Sequence, residues 1–291
     1  MAKTSNRTIL VTGATGKQGG AALRHLRARG FLVRALTRDP SKPSARALAG
    51  TGVELVRGDL EDAASITRAL DGVHGVFAVQ TPYEAGPEAE ERQGKTLASA
   101  AQRAQVSHYV YSSVGSADRN TGIPHFDSKF RVEEHIRGLG LSYTILRPVF
   151  FMENLLGLTG MIAGGTLTLP LPVDRKLQMI AVDDIGAIAA LALEHSGKWQ
   201  GRAVDIASDE LSTADVAATL SRLTGREIRA AEAPIDDYER QAGRDLGLMW
   251  RWFQNVGYNV DIRALRSEYA GLTSFERWAS RQNWQASQSA G

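Results

Sequence analysis

An α/β fold built on a doubly wound parallel sheet is predicted for this 291-residue chain. Three observations carry the prediction. Through the first half, short β-rich runs alternate with longer runs of helical periodicity, the pattern of βαβ units. A glycine-rich turn joins the first strand to the first helix. Past residue 150 the alternation fades and helical patterns dominate. The expected division is therefore a sheet domain over 1–150, with sheet contributions from around 177–210. A smaller, mostly helical cap or substrate region is expected over 151–291.

Taken in order, the β-rich runs are 8–12, 31–37, 53–57, 73–79, 108–113 and 142–146. The segments between them carry helical spacing, as in 94–101. Strands separated by helices pair in parallel and are covered on both faces, and right-handed crossovers make the sheet doubly wound. Arg147-Pro148 ends the sixth strand, because proline removes a ladder donor. Glycines and prolines cluster over 157–172. Helical patterns follow at 184–194, 212–223 and 273–281, with a strand-like run at 202–207. The small polar tail 286–291 is expected to fray.

Composition narrows the function classes. A chain of this length buries roughly three quarters of its unfolded surface, so a large core is expected. Net charge is +2 with no long Lys/Arg block, which argues against nucleic acid and anionic membrane as partners. There are no cysteines, which removes disulfides, thiolate metal sites and thiol redox chemistry; no metal site is expected. The amino terminus has no apolar leader-like stretch, and no run reaches the roughly 18 apolar residues of a membrane span. A cytoplasmic location is the expectation.

The glycine turn carries the chemistry. Gly13-Ala14-Thr15-Gly16-Lys17-Gln18-Gly19 has G-x-x-G-x-x-G spacing between a strand and a helix. The first glycine permits the tight turn, the second lets phosphates approach, and the third lets helix and strand pack closely. Backbone N–H groups at such a helix start cradle a dinucleotide pyrophosphate, which makes the sheet the Rossmann type. Thr15 and Gln18 add side-chain donors. The alternative is a glycine-rich turn with no ligand.

The second strand ends in Leu36-Thr37-Arg38-Asp39-Pro40-Ser41-Lys42, where the adenosine ribose lies in such folds. Arg38 has the planar fork suited to a 2′-phosphate and Lys42 adds a point charge. NADP(H) is therefore favoured over NAD(H). Asp39 is the competing reading, since an acid there bonds a 2′-hydroxyl. After the third strand, Asp59 can accept from the adenine amino group with Leu60 against the ring; helix capping is the alternative. Gln80, Thr81, Pro82 and Tyr83 follow the fourth strand at the carboxyl edge, where ligands bind. Tyr83 either flanks the nicotinamide or packs.

Ser112 closes the fifth strand, and His125 and Lys129 stand at i, i+4 at the start of the next helix, on one face. This set resembles the Ser…Tyr-x-x-x-Lys arrangement of the short-chain dehydrogenase/reductase superfamily, with His125 at the tyrosine position. Ser112, His125 and Lys129 are the candidate catalytic residues, with His125 also a candidate substrate contact alongside Tyr83. Imidazole titrates near 6.5 against about 10 for phenol. A histidine there is a poorer general acid near pH 7, though still able to hydrogen-bond a carbonyl. A partly buried helix histidine is the plainer reading.

With Gly13–Gly20, Thr37–Pro40, Arg92–Lys95, His125–Lys129, Phe151–Leu156 and Gly243–Leu246 taken together, the chain resembles the NmrA-like family of atypical short-chain dehydrogenases/reductases, and within it the HSCARG-type NADPH sensors. The resemblance implies NADP(H) held by the glycine loop, the turn from Arg38 through Ser41 to Lys42, Asp59, Gln80, Thr81 and Lys129. It also implies contacts from Phe151, Met152, Glu153 and Asn154, with Asn154 near the substrate. Asp183-Asp184-Ile185-Gly186 is similar to the family's step into the cap. Arg92 stands where the sensors carry a lysine, and the loop over 114–124 is shorter. The family divides, and two functions are expected from it. The first is an NADPH-dependent oxidoreductase acting on a small quinone, carbonyl or conjugated substrate. The alternative is a non-catalytic NADPH/NADP redox sensor that regulates a protein partner. A homodimer is compatible with either.

Overall fold

The computed structural model describes residues 6–285, and the tail 286–291 lies outside them. The chain opens with β1 (Thr8–Val11), α1 (Lys17–Ala28), β2 (Leu32–Thr37), α2 (Pro43–Ala49), β3 (Glu54–Arg57) and α3 (Ala63–Ala69). It continues with β4 (Gly75–Ala78), α4 (Pro87–Arg103), β5 (His108–Ser112), α5 (Pro124–Gly138) and β6 (Tyr143–Pro148). Then come β7 (Phe150–Phe151), α6 (Thr159–Ala163), β8 (Thr166–Leu169), β9 (Lys176–Ile180), α7 (Val182–Glu194), α8 (Ser196–Trp199) and β10 (Arg202–Ile206). The last elements are β11 (Asp209–Ser212), α9 (Thr213–Thr224), β12 (Arg229–Glu232), α10 (Ile235–Ala242), α11 (Arg244–Asn255), α12 (Ile262–Glu268) and α13 (Phe275–Ala279).

Two compact units result. Among the described residues the first comprises 6–120, 124–147 and 185–205, and the second 121–123, 148–184 and 206–285. The first holds a seven-stranded sheet of order β10-β6-β5-β4-β1-β2-β3. Every neighbouring pair from β6 to β3 is parallel. The order reverses between β1 and β4, and ligands in such sheets lie outside the carboxyl ends of the strands at this point. The six predicted strands are all present, each within a residue or two of its expected end. Central strands are apolar throughout, as Gly75–Ala78 is, because both faces are covered.

Helices α4 and α5 pack on one face over a core that includes Leu10, Val76, Leu97, Tyr109, Tyr111, Val132 and Ile145. On α1 a stripe of Ala21, Ala22, Leu23 and Leu26 is buried. Helix α7 crosses α1 so closely that a Cβ at Gly186 would stand 2.5 Å from the Ala21 carbonyl carbon. Glycine is the residue that allows this contact.

The second unit is more mixed than the helical region expected. It carries a three-stranded sheet, β11-β9-β7, and a parallel pair, β12-β8. It also contains α10, α11 and α12, which are not among the predicted helices. Its core gathers Met152, Leu167, Leu169, Met179, Val216, Trp250, Phe253, Phe275 and Trp278. Ser212 and Asp215 form a reciprocal capping box at the start of α9, and Gly225 ends it at φ +69°, the left-handed stop that glycine favours.

Candidate dinucleotide site

Geometry at the end of β1 is set by glycine. Gly13 has φ +59°, a conformation costly for side chains other than glycine. The Gly16 N–H donates to the Gly13 carbonyl at 2.8 Å, closing the turn. A Cβ at Gly19 would stand 2.2 Å from the Gly13 oxygen and 2.6 Å from the Thr12 oxygen. Thr12 adds a tie: its hydroxyl donates to the Val79 carbonyl at 2.9 Å and accepts from the Val79 N–H at 2.8 Å. That pins the loop after β1 against the end of β4. Thr15, Gly16 and Lys17 stay exposed, so the turn is an open cradle at a helix start, and the residues present fit a pyrophosphate.

The turn after β2 divides its charges. Asp39 accepts from the Ser41 hydroxyl at 2.6 Å and the Ser41 N–H at 2.9 Å, and these bonds hold its carboxyl below the ordinary value. Arg38 reaches Glu84 at 2.9 Å, both side chains more than half exposed. Lys42 stands exposed at the residue before α2 and makes no side-chain capping bond. After β3, the carboxylate of Asp59 accepts from the Glu61 N–H at 3.0 Å, while Asp62 caps α3. The capping role considered for Asp59 thus belongs to Asp62. Half-buried Leu60 lies beside it. Arg92 forks onto Glu61 through two 3.0 Å bonds and Gln93 adds a third, which holds Glu61 ionised below its usual range.

At the end of β4, Thr81 and Pro82 lead into Tyr83, which is 72% exposed. The Gln80 side chain is buried, and its amide nitrogen and oxygen find no partner among the described residues. A Cβ at Gly94 would sit 3.4 Å from that oxygen. The main-chain carbonyl of Gln80 faces Lys129 Nζ at 3.4 Å.

Lys129 lies 2.7 Å from Glu90 Oε1, with side chains 10% and 0% exposed. Ser128 donates to Glu90 Oε2 at 2.8 Å. The Tyr111 ring lies beneath the ammonium at 5.9 Å. Burial, with Glu90 second, pushes the Tyr111 phenol far above its ordinary value, so it stays neutral. His125 shares the α5 face with Lys129 and is buried, edge-on to Phe126 at 4.9 Å. Ser112 is fully buried and donates to Gln18 Oε1 at 2.6 Å; it ties β5 to the helix of the glycine loop.

Four residues expected from the second unit are described within it. Met152 is buried in the core. Glu153 accepts from the Val182 N–H at 3.0 Å and from the Trp278 indole at 2.9 Å, which joins three segments of the unit. Phe151 is half-buried and Asn154 exposed. Sequence reading missed Glu90. Its signal is an acid on the core-facing stripe of α4, among Ala89, Gly94, Leu97 and Ala98. Among the described residues no helix is long and apolar enough to cross a membrane.

The parallel sheet, its reversal between β1 and β4 and the glycine cradle define a dinucleotide-binding α/β protein of the Rossmann type. The chain belongs to the NmrA-like family, which matches residues 5–279. It is similar to (4-alkanoyl-5-oxo-2,5-dihydrofuran-3-yl)methyl phosphate reductase of Streptomyces griseus, 34% identical over 78% of each chain. The NAD(P)H azoreductase of Xenophilus azovorans is 32% identical over 82% of each. In fold it is similar to NmrA, a negative transcriptional regulator solved in complex with NADP, with a TM-score of 0.80, 24% identity and 95% of each chain covered.

Proposed function

We propose that the protein is an NADPH-dependent oxidoreductase that delivers hydride to a small quinone, carbonyl or conjugated acceptor. The observation that carries this reading is the open cradle at Gly13 and Gly19, with Thr12 tied to the Val79 carbonyl and the Lys129 ammonium facing the carbonyl of the next residue, Gln80. Bound there, the nicotinamide supplies the hydride itself. The chain's own residues bind, orient and hydrogen-bond. Backbone N–H groups of the loop take the pyrophosphate, and Lys129 donates to the nicotinamide ribose. His125 donates to or accepts from the substrate. Ser112 holds Gln18, and through it the loop, in place.

NADP(H) is preferred over NAD(H) in this reading. The fork of Arg38 and the charge of Lys42 suit a 2′-phosphate, while the Asp39 carboxylate is already engaged by Ser41. The names of the two relatives at 34% and 32% identity support a reductase. A panel of quinones, enones, aldehydes and azo compounds with NADPH tests it. At least one compound is expected to turn over above the rate with free cofactor, with kcat/KM falling in Lys129→Ala. No turnover across the panel overturns the reading.

One feature favours a second reading, a sensor that binds NADP(H) and regulates a protein partner: His125 occupies the place of a phenolic acid. It predicts an NADPH-dependent change in hydrogen exchange or oligomeric state without turnover.

A further inference from the structure

Glu90 is an unusual residue for its place. It sits on α4 among alanines, a glycine and a leucine that face the core, and it is wholly buried. Stability is a weak account of it, because a buried ion pair often gains nothing over hydrophobic residues of similar volume. Each of its two oxygens has its own partner on α5. Oε1 meets Lys129 Nζ at 2.7 Å, and Oε2 is held by the Ser128 hydroxyl at 2.8 Å. The carboxylate is thus fixed by α5 at one oxygen and fixes α5's lysine with the other. Lysine is a flexible four-carbon stem with three donors. The Lys129 ammonium lies 2.7 Å from Glu90 Oε1 in an ion pair and donates to the Gln80 carbonyl at 3.4 Å, at the carboxyl end of β4.

We propose that Glu90 is a positioning residue for the dinucleotide: its carboxylate anchors the Lys129 ammonium at the carboxyl end of β4, where it meets the cofactor ribose. This rests on the cofactor reading given above. Without the anchor the stem is free to rotate, and the bond to the ribose carries the cost of ordering it.

A double-mutant cycle on NADPH affinity, measured by calorimetric titration with thermal melts alongside, tests the inference. Lys129→Met is expected to raise Kd about tenfold, the loss of one charge-assisted hydrogen bond. Glu90→Gln, nearly isosteric, is expected to raise it by a similar factor. The double variant Glu90→Gln/Lys129→Met is expected to match Lys129→Met alone within about twofold, because Glu90 then has nothing to position. The double variant leaves no unpaired buried charge, so it folds even if Glu90→Gln does not; Glu90→Asp, which keeps the charge, then takes the place of the single variant and should fall between wild type and Lys129→Met. Wild-type affinity in the Glu90 single variants, or effects that multiply in the double variant, overturns the role of Glu90 and leaves the cofactor reading intact. Failure of the wild type to bind NADPH overturns the cofactor reading and this inference with it.

Discussion

At the scale of single residues, the proposed preference for NADP(H) rests on Arg38. Its ion pair with Glu84 is exposed on both sides, and such pairs contribute little. A 2′-phosphate offers a doubly charged, bidentate partner in place of one carboxylate. Arg38→Ala is expected to raise Kd for NADPH by about ten- to a hundredfold, the loss of one or two charge-assisted bonds. It should leave NADH affinity and the melting temperature unchanged. Parallel titrations with NADPH and NADH check this, and an equal loss for both would place Arg38 on the part the two cofactors share.

At the scale of elements, the junction of β5 and β6 is a pH-sensitive joint. His108 is buried, with Nδ1 2.8 Å from Ser142 Oγ and Nε2 2.9 Å from Thr144 Oγ1. The Thr144 hydroxyl donates onward to the Trp199 carbonyl at 2.9 Å. Its oxygen therefore accepts from Nε2–H. Burial, with His74 adding to it, lowers the His108 pKa from 6.5 to about 4. The unfolded chain takes up this proton first, so stability is full above pH 6.5 and falls as pH drops towards 4. Between pH 7.5 and 4.5 the loss from this group is about 2–3 kcal/mol. Urea unfolding at the two values should show that component in the wild type and not in His108→Gln. Legibility in the sequence follows the same scale. Strands β1 to β6 and the glycine turn announce themselves because their signals are local: apolar runs and a turn only glycine can make. Thr166-Leu167-Thr168-Leu169 in β8 alternates as a strand should, with Leu167 and Leu169 buried, yet it lies in a glycine- and proline-rich stretch that reads as loop. Helix α10 buries none of its residues fully, and only Ile235 and Tyr238 of it pack on the core, too short an apolar stripe to stand out. Glu90 and Lys129 meet only because α4 and α5 pack side by side, and no spacing along the chain encodes that.

At the scale of the whole molecule, a cofactor that binds only the folded state adds to its stability. NADPH at a hundred times its Kd should add about 2.7 kcal/mol, and raise the melting temperature by several degrees. NADH at equal concentration should add less, and a thermal melt with each reads the difference directly. The path of the chain has a consequence of another kind. It departs from the first unit after Arg147 and returns to it at Ile185, and β10, the neighbour of β6, is the last strand of the large sheet to be made. While the polypeptide is being synthesised, the outer edge of β6 waits for residues 202–206 with its peptide groups unpaired. At about 5–20 residues per second the wait lasts roughly 3 to 11 seconds. A bare strand edge is a template for another chain, so the interval before β10 emerges is when two nascent copies are most prone to join by mistake.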